Sequence, residues 1–174
     1  MPRAPRTAVI VAVPAAGPAL AEWRERHTGD ARLGMPPHVT LLVPFVPPPR
    51  LTGDVEERLA RLVVAEPAFE VVFERSARFP EVLYLPPEPA EPFVRLTHAL
   101  TTEWPDHPPY EGRHESVIPH LTVAESSDAS LLDRITAELD PRLPVAQGVT
   151  EAQLYVEDED GRWHERRRFP FGDA

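Results

Sequence analysis

Apolar positions along this chain switch repeatedly between two periods. "TAVIVAV" (7–13) is an unbroken apolar run of a length that suits a fully buried strand. "PALAEWRERH" (18–27) predicts a helix with Pro18 in its first turn. "HVTLLVPF" (38–45) predicts a strand. "DVEERLARLVV" (54–64) predicts a helix with Val55, Leu59, Leu62 and Val63 on one face, and Asp54 with Glu57 is spaced as a capping box. "FEVVFERSARF" (69–79) predicts one further strand.

The order then repeats. "VLYLPP" (82–87) predicts a strand, and 91–104 a helix with Phe93, Leu96, Leu100 and Trp104 on its apolar face. "HLTVAES" (120–126) predicts a strand, and 130–139 a helix stacking Leu131, Ile135 and Leu139. "GVTEAQLYVED" (148–158) predicts a strand, paired through "DEDG" with "GRWHERRRFPF" (161–171). Each half, about 1–80 and 81–174, reads β-α-β-α-β. The expected fold class is α/β (α+β): one bilobal domain over 1–174, with pseudo-twofold symmetry around a central cleft.

The third element of each half opens on the same short pattern, "PHVTL" (37–41) and "PHLTV" (119–123). Side chains alternate across a strand, so His38 and Thr40 share a face and lie about 6.6 Å apart along it. Leu42 is expected on that face too, with Val39, Leu41 and Val43 opposite. His120 and Thr122 pair in the same way, with Leu121 and Val123 opposite. If the two lobes face each other, two imidazoles and two hydroxyls converge. Displacement at a phosphodiester needs a base on the nucleophile and an acid on the leaving group, and two histidines can supply both near neutral pH. The threonine hydroxyls can bond the nonbridging oxygens as charge builds there.

Composition narrows the chemistry. The chain has no cysteine, which removes thiolate metal sites and cysteine nucleophiles. Its 18 basic residues are all arginine, so no covalent lysine adduct can form. A net charge of -10 argues against a broad nucleic-acid surface but permits a cleft that grips one phosphate. No apolar run reaches membrane-span length. Pro14, Gly17 and Pro18 interrupt the N-terminal apolar stretch, so it is expected to be a buried strand rather than a signal peptide, in a cytoplasmic and monomeric protein.

The paired H-[VL]-T-[LV] motifs, with the lead-in "HPPYEGRHESVIPHLTVAE", resemble the 2H phosphoesterase superfamily, specifically its 2'-5' RNA ligase-like (cyclic phosphodiesterase) branch. The resemblance spans nearly the whole chain. It implies a bilobal fold and metal-independent, cofactor-free chemistry on 2',3'-cyclic phosphates or 2'-5' linked nucleotide and RNA ends, reversible in principle as ligation. It makes His38 and His120 the catalytic pair and Thr40 and Thr122 the phosphate-binding pair. A nucleotide- or RNA-end-binding module without turnover is the alternative.

Other residues stand beside these as candidates. Tyr110 and Arg113, just ahead of the second motif, could stack on a base or pair with a phosphate. His107, His114 and His120 could be imagined as metal ligands, but their spacing matches no helix-borne pattern. Arg166, Arg167 and Arg168 read as a solvated edge strand with one side chain able to face the cleft. Phe79 and Tyr84 read as core.

Overall fold

The computed structural model describes residues 3–113 and 117–174. The elements alternate in the expected order: β1 (Thr7–Ala12), α1 (Gly17–His27), β2 (His38–Leu42), α2 (Gly53–Val64), β3 (Phe69–Phe73), β4 (Ala77–Phe79), β5 (Val82–Leu85), α3 (Glu91–Glu103), β6 (Leu121–Glu125), α4 (Ala129–Leu139), β7 (Val145–Val149), β8 (Glu151–Glu157) and β9 (Trp163–Pro170). Seven strands form one antiparallel sheet in the order β4-β5-β6-β2-β1-β8-β9, and β3 pairs with β7 separately. The class is therefore mixed α/β.

Two of the expected long strands are each divided between sheets. Segment 69–79 breaks after Phe73, and the last predicted pair begins with β7 at Val145 and breaks at Thr150. β3 and β7 pair with each other. Beyond the breaks, β4 joins β5 and β8 joins β1. Residues 74–76 separate β3 from β4, and across the second break the core-facing positions shift from Val145 and Val149 to Ala152 and Leu154. The exchange is reciprocal, and this strand order is consistent with an internal repeat.

The sheet has two unlike faces, and β1 is buried on both. Its Val9 and Val11, with Val13 just beyond its end, belong to the main core, with Leu20 and Trp23 of α1 and Leu96 and Leu100 of α3. Ala8 and Ile10 belong to a smaller cluster with Met35, Tyr155 and Trp163. That is why residues 7–13 read as continuous apolar rather than alternating. The helices cross over between halves: α1 packs against β6, and α3 packs against β2. One core cluster therefore draws on both halves, including Leu59 and Val63 of α2 and Ile135 and Leu139 of α4.

Local details refine the sequence reading. The cap of α2 is Thr52, whose Oγ1 accepts from the Val55 amide at 3.4 Å, rather than Asp54. Thr52 is extended (φ −93°, ψ 167°), as a capping residue must be, whereas Asp54 already lies inside the helix. The three C-terminal arginines lie on edge strand β9. Arg166 and Arg167 bind Glu56, Arg167 also binds Glu57, and Arg168 binds Glu151 and Glu165. Among the described residues, no helix is long and apolar enough to cross a membrane.

Trp163 is held against the smaller cluster by the turn at Gly34, which has φ +100°. A Cβ added there would lie 2.8 Å from the Trp163 carbonyl oxygen. Gly34→Ala is therefore expected to cost about 1–3 kcal/mol from left-handed strain and displaced backbone together. A thermal melt of the variant that matches wild type would contradict this close approach.

Candidate active site

The two motif strands are neighbours in one sheet, pairing antiparallel at Val39–Leu121. The two halves meet edge to edge here, through β2 and β6. Continued from that pair, antiparallel register sets His38 opposite Thr122 and His120 opposite Thr40. Directly opposed residues sit about 4.5–5.5 Å apart at Cβ. Val39 and Leu121 are buried in the core on the other face. His38, Thr40, His120 and Thr122 all line one cavity of about 450 Å³.

Each motif strand bulges immediately after its threonine. Partners jump from Val9–Leu42 to Ile10–Thr40 on one side, leaving Leu41 extra. They jump from Leu83–Ala124 to Tyr84–Thr122 on the other, leaving Val123 extra. An extra residue shifts the alternation by one. Leu41 and Leu42 are consequently both buried in the main core, as are Val123 and Ala124. Val43 and Glu125 reach the cavity instead. The expectation that Leu42 shares the face of His38 and Thr40 fails for this reason.

Both histidines are oriented by the same device. His38 Nδ1 donates to the Pro36 carbonyl at 2.7 Å, and His120 Nδ1 donates to the Ile118 carbonyl at 2.7 Å. A carbonyl can only accept, so each Nδ1 carries hydrogen and Nε2 is the basic nitrogen of each neutral ring. The prolines at 37 and 119 matter here, because a proline drives the residue before it toward extended backbone. The carbonyl-bearing residues Pro36 and Ile118 each occupy that preceding position.

Behind the motifs lies a residue the sequence pattern did not reveal. Arg24 of α1 is buried, with 2% of its surface exposed. Its Nη1 donates to the Thr122 carbonyl at 2.6 Å and its Nη2 to the Pro36 carbonyl at 3.3 Å. Nη2 also lies 3.5 Å from Asp30 Oδ1. One guanidinium thus ties the second motif to the carbonyl that orients the first histidine. Thr97 of α3 makes a matching bond from the other half, donating to the Leu41 carbonyl at 2.8 Å. In the sequence, Arg24 is one charge in a helix and carries no sign of burial.

The cavity also holds groups that the sequence did not point to. Asp30 Oδ2 lies 4.0 Å from His38 Nε2. Ile10, Met35 and Trp163 supply an apolar wall. Arg6 reaches the wall, with its guanidinium carbon 5.2 Å from the Trp163 ring centroid, and Glu157 holds it through Nε at 3.0 Å and Nη2 at 3.2 Å. Phe79 and Tyr84 stack at 4.2 Å and meet the His120 ring nearly edge to face at 5.4 and 5.8 Å. They therefore contact the site, and Tyr84 is also buried as read from the sequence.

Tyr110 lines the cavity, and its hydroxyl is hydrogen-bonded to Thr40. Its amide donates to the Val43 carbonyl at 2.7 Å, and Tyr110 and Glu111 adopt left-handed backbone (φ 52° and 57°). Such conformations are costly for side-chain-bearing residues. Arg113 does not line the cavity; its Nη2 pairs with Glu111 at 2.8 Å on the surface. His107 lines a different cavity beside Trp104, and His114 lies outside the described residues.

Burial is the largest influence on His38 and lowers its pKa. Asp30 opposes this, Arg24 adds to it, the Pro36 carbonyl opposes it, and His120 adds to it. Folding thus favours the neutral ring. His38 contributes stability above its unfolded pKa of about 6.5, and that stability is lost as pH falls toward the folded value.

A family model described as the 2'-5' RNA ligase superfamily matches residues 12–161. Among solved structures, TT0787 of Thermus thermophilus is similar over 97% of this chain and 99% of its own, at 22% identity and a TM-score of 0.65. E. coli LigT complexed with 3'-AMP is similar over 97% and 99%, at 18% identity and a TM-score of 0.63. E. coli LigT complexed with NADP+ is similar over 98% and 100%, at 19% identity and a TM-score of 0.62. A search of curated proteins returned no match. The chain belongs to the 2'-5' RNA ligase superfamily, and its fold is that of the LigT structures.

Two outcomes are expected from this geometry. Arg24→Ala leaves two carbonyls and Asp30 without their cation and should cost about 3–5 kcal/mol in a denaturant titration. His38→Asn should reduce the loss of melting temperature between about pH 7 and about pH 5, since the group that resists protonation is gone. An equal loss in variant and wild type would mean that His38 is not the titrating group.

Proposed function

We propose that this protein is a metal-independent phosphodiesterase. It hydrolyses a 2',3'-cyclic phosphate or a 2'-5' linkage at a nucleotide or RNA end, with His38 and His120 as the acid–base pair. The observation that carries this reading is the matched orientation of the two rings. Each Nδ1 is fixed by a backbone carbonyl, and both residues open on one cavity with Thr40 and Thr122. LigT structures in complex with 3'-AMP, ATP and NADP+ add support for a nucleotide ligand.

With a cyclic phosphate bound, the neutral imidazole on the attacking side takes a proton from water as its oxygen bonds to phosphorus. The imidazolium on the opposite side gives its Nε2 proton to the departing ribose oxygen as that P–O bond breaks. The product is a phosphomonoester beside a free hydroxyl. The two rings have exchanged protonation states, and solvent resets them. The Thr40 and Thr122 hydroxyls, with Tyr110 next to Thr40, donate to the nonbridging oxygens. Substrate orientation decides which ring is the base. With a ribose 5'-hydroxyl in place of water as the nucleophile and the 3'-oxygen as the leaving group, the same steps open the cyclic phosphate to a 2'-5' linkage.

The apolar wall of Ile10, Met35 and Trp163 gives a nucleoside a surface to lie on. The test uses nucleoside 2',3'-cyclic phosphates, RNAs ending in 2',3'-cyclic phosphate and 2'-5' linked dinucleotides, all in excess EDTA. Turnover is expected, and His38→Ala and His120→Ala should each lower it by about 10²-fold or more. Full activity in either variant would refute the two-histidine mechanism. Ligand-dependent melting shifts without turnover would make the protein a binding module.

A further inference from the structure

We propose, resting on the phosphodiesterase reading above, that Asp30 is a positioning residue whose carboxylate stabilises the imidazolium form of His38 during turnover. In the two-histidine exchange each ring is an imidazolium at one stage: before proton transfer if it is the acid, after it if it is the base. For His38 that charge must appear on a side chain only 11% exposed. A charge so placed is costly unless an opposite charge lies close by.

Asp30 supplies that charge. It lies in the turn between α1 and β2, where its carbonyl accepts from the Leu33 and Met35 amides, each at 3.0 Å. Its carboxylate reaches two partners. Oδ1 lies 3.5 Å from Arg24 Nη2, and Oδ2 lies 4.0 Å from His38 Nε2. The Pro36 carbonyl meets the same two partners, accepting from Arg24 Nη2 at 3.3 Å and from His38 Nδ1 at 2.7 Å. Arg24, Asp30, His38 and Pro36 thus form a closed ring of contacts. At 4.0 Å the carboxylate acts on Nε2 through its charge and leaves the direct hydrogen bond of that nitrogen to a substrate oxygen or a water.

Several other charged or titratable groups face His38. Arg24 approaches from α1 and His120 from the start of the second motif. Glu125, Tyr110 and Arg6 line the same cavity. Burial, Arg24 and His120 favour the neutral ring, whereas Asp30 and the Pro36 carbonyl favour the charged one, Asp30 the more strongly. His120 has different surroundings, against the stacked rings of Phe79 and Tyr84. A change at Asp30 therefore acts mainly on one ring of the pair.

The test uses Asp30→Asn, which keeps an oxygen for Arg24 and removes the charge. The His38 ring is titrated by NMR through its Cε1–H signal, assigned by the absence of that signal from His38→Asn. In parallel, kcat/KM for a nucleoside 2',3'-cyclic phosphate is followed from about pH 5 to about pH 9. In Asp30→Asn the His38 titration should move to lower pH. The limb of the pH profile that follows this ring should move with it, and the limb that follows His120 should move less. At neutral pH kcat/KM should fall by about threefold or more, because a ring that holds its proton less well is a weaker base and, as an acid, carries the proton less often. Asp30→Glu, which keeps the charge, should restore the His38 titration and most of the activity.

An unshifted His38 titration in Asp30→Asn would overturn the proposal. So would a loss of activity with an unchanged pH profile, or a loss that Asp30→Glu shares in full, since Asp30 would then only shape its turn. The titration needs no turnover, so the two readings fail separately. If wild type turns over the cyclic phosphate and the His38 titration does not move, the role of Asp30 falls and the phosphodiesterase reading stands. If wild type turns over no substrate, the phosphodiesterase reading falls, and the part of Asp30 in turnover falls with it.

Discussion

The antiparallel contact between β2 and β6 at Val39 and Leu121 is where the two halves of this protein meet and where the four motif side chains converge on one cavity. The pairing does three things at once. It joins the strands of both halves into one seven-stranded sheet. It buries Val39 and Leu121 against the helical layer. By the period of two, it then turns the residues on either side of each toward the opposite face. Two histidines and two threonines arrive on one cavity because two apolar residues pair on the other side. A slip of one residue would send the polar set into the core, so burial of one face enforces the geometry of the other.

The helices reinforce this contact by crossing over. α1 supplies Arg24 to the strand of the second motif, and α3 supplies Thr97 to the strand of the first. Both side chains bond carbonyls beside the bulges, where ladder pairing is interrupted. Arg24 carries an additional burden, since a buried guanidinium is tolerable only when its donors are met. Asp30 answers its charge and also stands near His38 Nε2. Structural support and active-site electrostatics therefore share the same side chains.

Much of the architecture was readable in order. The helices, the first strand and both motif strands follow from hydrophobic period, and the sheet edge follows from the arginine run on β9. The breaks between β3 and β4 and between β7 and β8 were not readable. Apolar residues resume across the second break, from Val149 to Ala152, while both the phase of the alternation and the hydrogen-bonding partner change. The bulges were hidden for a related reason. In "VTLLV" Leu41, Leu42 and Val43 are all apolar, so the phase shift leaves no mark; in "LTVAE" the one mark is Glu125, which strict alternation from Leu121 and Val123 would bury.

The sequence alone singled out the candidate set, His38, Thr40, His120 and Thr122, because a polar pair repeated within apolar strands conflicts with simple core packing. It also supplied the prolines that place each carbonyl for its histidine. Only the tertiary structure decided that the motifs meet edge to edge, that Arg24 lies beneath them, and that Asp30, Glu125 and Trp163 complete the cavity. It also placed Tyr110 against Thr40 and left Arg113 on the surface. These depend on contacts between residues far apart in the chain. Local pattern records whether a side chain can be buried; which distant group it meets is set by how the sheet is paired.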